Sequence, residues 1–323
     1  MTLAEQVVAG NRRALARAIT LVESTREDHR AEAAALLDEL LPHTGHATRI
    51  GISGAPGVGK SVFIEAFGLH LTQNEAHRVA VLAVDPSSVR SGGSILGDKT
   101  RMEELARDAN AYIRPSPSRG ALGGVAARTR EAMLVCEAAG FDIVIVETVG
   151  VGQSETEVDN MVDVFVVLVA PGAGDELQGM KRGLMELVDV LVVTKADGAM
   201  KNAANQSAAD YRHALHLLRP KHVDLPPEVA VCSALHHDGI DSVWVTIDRH
   251  AAALRNSGEL TAMRSDQALA WLWREIRDGL VERLRTNGQV QRLLPTMEPA
   301  VVEGRLSPTS AAQRLLAASA DAD

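Results

Sequence analysis

Seven short segments rich in Val, Ile and Leu recur between residues 48 and 233, each followed by a stretch of helical pattern. They read TRIGIS, RVAVLAVD, AYIRP, FDIVIVE, VDVFVVLV, VDVLVVTK and EVAVCS. A strand that is apolar on both faces must be covered on both. An alternating strand–helix chain achieves this by winding a mostly parallel sheet with helices on either side. An α/β core is therefore predicted.

Helical pattern flanks that core. Leu3, Val7, Val8, Leu15, Ile19 and Val22 recur mostly at three- and four-residue spacing, and a second helix is predicted from Arg26 to Leu41, stopped by Pro42. Past Asp238 the pattern is helical again. In DQALAWLWREIRDGLVERL it aligns Leu269, Leu272, Trp273, Ile276, Leu280 and Leu284 in one stripe, and the residues around and after Pro308 read as a tail or a short last helix. The expected division is a helical extension over residues 1–45, the α/β domain over 46–258, and a helical arm with its tail over 259–323.

Composition removes several function classes. With 42 acidic against 33 basic residues and a net charge of -9, a polyanion partner is disfavoured. Aromatic residues make up only 3%, too few for the stacking platforms that single-stranded nucleic acid requires. Cys136 and Cys232 stand alone, so neither a disulfide framework nor a cysteine zinc cluster is expected. No run reaches the length of a membrane span, and the N-terminus lacks the regions of a signal peptide. A cytoplasmic protein without membrane or nucleic-acid contacts is the expectation.

The segment Gly54, Ala55, Pro56, Gly57, Val58, Gly59, Lys60 and Ser61 (GAPGVGKS) fits G-x-x-x-x-G-K-[ST], between a predicted strand and a predicted helix. Such a loop turns backbone N–H groups toward phosphate oxygens at a helix N-terminus. Lys60 would neutralise the β- and γ-phosphates, and Ser61 would offer its hydroxyl to Mg²⁺. The base is read from VVTKAD. The Asp197 carboxylate can accept from both the ring N–H and the exocyclic amino group of guanine, a donor pair adenine lacks, while the Lys195 stem can lie over the base. Thr194 occupies the place of the usual Asn of N-K-x-D, keeping a hydroxyl and losing the amide. Ser233, Ala234 and Leu235 follow the next strand, where backbone contacts to the guanine carbonyl are expected. Three more loops leave the carboxyl ends of predicted strands, carrying Asp85 and Asp98, Glu147 and Gly150, and Asp175. Ligands of open α/β sheets bind at those ends, and a carboxylate there can hold Mg²⁺ or its waters. The Gly150 amide is placed to sense the γ-phosphate.

GAPGVGKS, AVDPSS, GGSILGDKTRM, RPSP with GALGGVA, ETVGVGQSE and PGAGDELQGMKRG, in this order, closely resemble the MeaB/ArgK family of P-loop GTPases in the SIMIBI class. The resemblance runs from about residue 3 to residue 285. It implies a GTPase that binds GTP or GDP with Mg²⁺. It also implies a chaperone that gates cofactor loading of an adenosylcobalamin-dependent acyl-CoA mutase and protects it, the mutase in turn stimulating hydrolysis. On this resemblance Asp85 and Asp98 approach the metal from a first switch, and Glu147 stands where most GTPases carry the Asp of D-x-x-G. Gln153 lies in a second switch, and Asp175 and Lys181 in a third that faces the mutase. Which of these positions the attacking water stays open. Val62 stands where the family commonly has Thr, with a backbone amide still serving the α-phosphate. The Trp271 and Trp273 region matches the family's dimerisation arm, so a homodimer is implied.

DRHAAA, Asp248 to Ala253, is one glycine short of the cobalamin motif D-x-H-x-x-G and reads as mid-helix, so cobalamin is assigned to the partner and not to this chain. His236, His237 and Asp238, and likewise His43 with His46, read as solvated loop residues. Two further classes compete: a metallochaperone GTPase, disfavoured for want of a Cys- or His-rich tract, and a transport-linked ATPase or kinase, disfavoured because Asp197 after Lys195 points to guanine and no kinase catalytic loop is present.

Overall fold

The computed structural model describes residues 1–24, 26–85, 102–117, 122–148, 154–172, 182–222 and 224–320. The described residues form two compact units, Met1–Arg264 and Ser265–Asp323.

The first unit opens with helices α1 (Leu3–Val8), α2 (Arg12–Val22) and α3 (Glu27–Leu40). The continuous first helix that the spacing suggests is in fact broken. Gly10 takes φ +74°, and the Asn11 side chain accepts from the amides of Arg13 and Ala14 to start a new helix. Pro42 falls in a 3₁₀ turn, Leu41–His43, that ends the segment.

Strands and helices then alternate: β1 (Thr48–Gly54), α4 (Lys60–Gln73), β2 (Val79–Asp85), α5 (Glu103–Arg107), β3 (Ala111–Pro117), α6 (Leu122–Ala138), β4 (Ile143–Thr148), α7 (Ser154–Asp159) and β5 (Val164–Val169). They continue through α8 (Arg182–Met185), β6 (Val190–Val193), α9 (Lys201–His216), β7 (Glu228–Val231) and α10 (Ile240–Ser257). Among the described residues the strands make one seven-stranded sheet in the order β3-β2-β4-β1-β5-β6-β7, and each described pairing is parallel. The seven predicted strands are all present, several with trimmed ends, while β1, β3 and β4 run on to Gly54, Pro117 and Thr148. β6 stops at Val193 and not at Lys195, because Lys195 turns into the left-handed region at φ +57° and cannot continue a strand.

Alternate residues of each strand feed opposite faces. In β5, Val164, Val166 and Leu168 pack with Phe63, Phe67 and Trp244 of α4 and α10, while Phe165, Val167 and Val169 join the core under α6 and α9. That second face also takes Val7, Leu15, Ile19 and Val22, so the N-terminal helices share the sheet's core. Arg12 strengthens the attachment by donating to the carbonyls of Ala109 (3.0 Å) and Ala111 (2.7 Å). The result is a three-layer α/β/α sandwich of the P-loop NTPase type, with β1 near the centre. The chain winds outward from β1 in both directions, and that reversal opens a crevice at the carboxyl ends of the strands.

The helix α11 (Glu259–Thr286) leaves the first unit. The second unit comprises most of α11 with α12 (Gly288–Val302) and α13 (Pro308–Ala320), so the segment around Pro308 is helical. Among the described residues no helix is long and apolar enough to cross a membrane.

Candidate functional site

β1 delivers the phosphate-loop sequence to the middle of the crevice. Gly54 pairs with Leu168 of β5 at φ +150°, and a Cβ there would sit 2.5 Å from the Leu168 carbonyl oxygen, so no other residue fits. Gly57 (φ +82°) and Gly59 (φ +100°) then turn the loop through left-handed conformations that glycine adopts without strain. α4 starts directly after Gly59 with no side-chain cap on its first turn. α2 and α12 differ, since their first-turn amides are taken by Asn11 and Asn287. An uncapped helix start behind a glycine loop suits an anion.

Lys60 lies across this loop, its Nζ donating to the carbonyl oxygens of Gly54 (2.6 Å) and Ala55 (3.3 Å). Partial burial holds its ammonium below the usual lysine range, and the Glu147 and Glu155 carboxylates pull it back up. A phosphate would add negative charge to the same neighbourhood. Ser61 begins α4 beside Lys60, and the half-exposed Val62 follows.

The parallel register aligns the other strand ends with the loop. Ile52 of β1 pairs with Glu147 of β4, and Ala83 of β2 with the same Glu147. The backbone of Asp85 thus lies level with the strand end that carries Glu147. A hydroxyl–hydroxyl bond of 2.9 Å from Thr148 to Ser53 ties β4 to β1 in the buried floor. Glu147 is almost fully buried, as is Glu155 on α7. Glu155 was not singled out in the sequence, although it ends the string ETVGVGQSE.

The far wall is the loop after β6. The Thr194 hydroxyl lies within hydrogen-bonding distance of the Val58 carbonyl (3.0 Å) and the Val169 carbonyl (3.2 Å), so it links the base loop to the phosphate loop and to β5. Asn at this position would reach with its amide; threonine does so with its hydroxyl. The left-handed turn at Lys195 directs the side chain over the phosphate loop, where Nζ donates to the Gly57 carbonyl (2.8 Å). Asp197 accepts from the buried Ser233 hydroxyl at 2.6 Å, and the Ala196 amide donates to the Cys232 carbonyl (3.1 Å). An antiparallel bridge between Ser233 and Asp238 closes the loop that also carries Ala234 and the exposed Leu235.

Gly54 to Ser61, Glu147, Thr194, Lys195, Asp197 and Ser233 therefore come together from four strand ends. Asp98, Gly150, Gln153, Asp175 and Lys181 lie outside the described residues, as does the side chain of Asp85. Of the near misses, DRHAAA is inside α10 with His250 fully buried, and His43, His46, His236 and His237 are exposed.

The donors at this site suit a nucleotide and a hard cation. Uncapped amides and an ammonium meet phosphate, hydroxyl and carboxylate oxygens meet Mg²⁺, and an oriented carboxylate meets a base edge.

Comparison with known proteins places the chain among GTPases. The family model described as methylmalonyl-CoA mutase-associated GTPase MeaB matches residues 15–289. A Caulobacter vibrioides protein that carries a provisional GTPase name is 58% identical over 98% of this chain and 97% of its own length. The GTPase ArgK of Escherichia coli is 49% identical over 97% of this chain and 96% of its own. The mouse mitochondrial methylmalonic aciduria type A homolog is 48% identical over 97% of this chain and 77% of its own. The crystal structure of a LAO/AO transport system kinase superposes with a TM-score of 0.76 at 41% identity, covering 97% of this chain and 95% of that one. Matched by that family model over residues 15–289 and by these relatives over nearly its whole length, the chain belongs to the MeaB family of P-loop GTPases.

Proposed function

We propose that this GTPase is a Mg²⁺·GTP-dependent chaperone of an adenosylcobalamin-dependent acyl-CoA mutase, methylmalonyl-CoA mutase or a close relative. The carrying observation is the joint: Lys195 and Thr194 of the base loop both bond to carbonyls of the phosphate loop, while Ser233 orients Asp197. The mutase assignment is supported by the name of the matching family and of the mouse relative.

In this reading the amides of Gly57 to Ser61 and the Lys60 ammonium take the phosphates, and Asp197 reads guanine with the Lys195 stem over the base. Ser61, Asp85, Asp98 and Glu147 hold Mg²⁺, which when bound neutralises charge on the β- and γ-phosphates. Gly150 senses the γ-phosphate, and Gln153, Asp175 and Lys181 belong to segments that the docked mutase orders for hydrolysis. Cobalamin stays with the partner: His250, fully buried in α10, has no face to offer a corrin. The exposed stripe Leu269, Leu272, Trp273, Ile276 and Leu280 on α11 supports a homodimer, and the protein acts in the cytoplasm.

The test is GTP and ATP turnover with and without a cobalamin-dependent mutase of the same organism. Slow GTP hydrolysis accelerated about tenfold or more by the mutase is expected. Equal use of ATP, or no response to the mutase, would move the assignment toward the transport-linked reading in the name of the LAO/AO relative.

A further inference from the structure

We propose that Asp189, His222 and His250 form a buried site for one divalent transition-metal ion of the zinc class, separate from the nucleotide crevice. The residues are far apart in sequence. Asp189 precedes β6, His222 lies in the connection before β7, and His250 is mid-way along α10. One potential ligand atom from each lies within 4.8 Å of the others, and all three residues are buried.

Two features point to a cation between them. The first is the proton arrangement at His222. Its Nδ1 lies 2.7 Å from Glu259 Oε1, and a carboxylate can only accept, so Nδ1 carries the proton. In the neutral ring, Nε2 then aims a lone pair at Asp189 Oδ1, 3.3 Å away. That contact is relieved either by a second proton on Nε2, which burial opposes and the Asp189 and Glu259 carboxylates favour more strongly, or by a metal ion between the two atoms, and it is longer than a charge-assisted hydrogen bond. The Glu259–His222 pair has the form of a carboxylate orienting a metal-bound imidazole.

The second feature is His250. It is fully buried, and neither ring nitrogen has a hydrogen-bond partner among the described residues. Its Nε2 is 3.6 Å from the same Asp189 oxygen, too long for a hydrogen bond. Ligands about 2.0–2.1 Å from a tetrahedral zinc ion stand about 3.3 Å apart, close to both of these separations. The other Asp189 oxygen is held by the Phe165 amide (2.8 Å) and the Lys221 ammonium (3.0 Å), which fixes Oδ1 toward the rings.

The local charge agrees. Asp159 and Asp189 share a single lysine, Lys221, at 2.6 and 3.0 Å, and Glu259 adds a third carboxylate on the far side of His222. With both imidazoles neutral, two negative charges remain, the complement of one divalent ion. Bound there, the ion would join the start of β6, the loop before β7 and α10.

The full-length protein, stripped with a chelator and then saturated with GDP and Mg²⁺ to fill the nucleotide site, is titrated with Zn²⁺ and separately with Co²⁺. One tightly bound equivalent is expected, with a tetrahedral Co²⁺ absorption spectrum and two imidazoles in the X-ray absorption of the zinc form. His250→Gln should abolish the equivalent, Glu259→Gln should weaken it about tenfold, and His237→Asn on the exposed loop should leave it unchanged. No stoichiometric uptake by the wild type overturns the proposal. So does uptake unchanged in a folded His250→Gln protein, or a metal shell without two imidazoles. The wild-type spectra decide the matter even if the variants fail to fold. A persistent imidazolium at His222 in metal-treated protein, seen by NMR, also overturns it in favour of a purely ionic network.

Discussion

In the proposed reading, Asp197 and Ser233 set the choice of nucleotide from outside the phosphate loop. The 2.6 Å bond from the Ser233 hydroxyl fixes one carboxylate oxygen of Asp197 on a loop otherwise free to rotate it. Ser233→Ala should weaken GTP binding about three- to tenfold, the worth of one ordinary hydrogen bond, with ATP binding unchanged. Asp197→Ala should bring the two nucleotides within a few-fold of each other. Fluorescent-nucleotide titrations of both variants measure this, and a retained GTP preference in Asp197→Ala would sink the base assignment. Cys232 gives a prediction of a different kind. Burial, with Asp238 nearby, pushes its thiol up to about 12 from an ordinary 9.0. The folded thiol stays protonated where the unfolded one ionises. Its stabilising contribution is complete below pH 9 and is lost as the pH climbs toward 12. Between pH 9 and 10 wild type should lose about 1 kcal/mol relative to Cys232→Ala, read from urea unfolding at each pH.

Among the elements, the first turns of α11 are fixed by one side chain. Arg264 donates to both oxygens of Asp163 (2.9 and 2.6 Å) and to the carbonyls of Gly45 (2.7 Å) and Ala47 (2.6 Å). Asp163, almost fully buried just before β5, also accepts from the Arg49 amide of β1 (2.8 Å). One arginine thus locks the amino ends of β1 and β5 to the helix that leaves the core. Removing it strands a buried carboxylate. Arg264→Ala should cost about 3–5 kcal/mol, measurable by chemical denaturation. Arg264→Lys should recover only part of that, because an ammonium cannot reproduce the planar two-pronged contact.

At the scale of the molecule, the exposed stripe on α11 is the proposed homodimer contact. Leu269 is 57% exposed and Trp273 66%, a large exposed apolar face. If that face is the homodimer contact, wild type should run as a dimer in light scattering and Trp273→Glu as a monomer at micromolar concentration. The variant should keep its GTP binding, since the proposed nucleotide residues all belong to the first unit. A monomeric wild type would remove this reading.

The sequence by itself determined the layers and the phosphate loop, because both are local signals. Continuous apolar runs demand a sheet covered on both faces, and the GAPGVGKS spacing places its glycines where a strand must turn into a helix. Break points were less legible. The Gly10–Asn11 interruption and the early end of β6 at Lys195 depend on single left-handed or capping residues within otherwise regular pattern. What only the tertiary structure decided are the contacts across long sequence distances. Thr194 reaches Val58 over 136 residues and Arg264 reaches Asp163 over 101, while His222 and His250 meet Asp189 only because β6, the loop before β7 and α10 converge. No period or spacing encodes such meetings. They follow from which strands become neighbours in the sheet, and that is fixed by burying all the apolar faces at once.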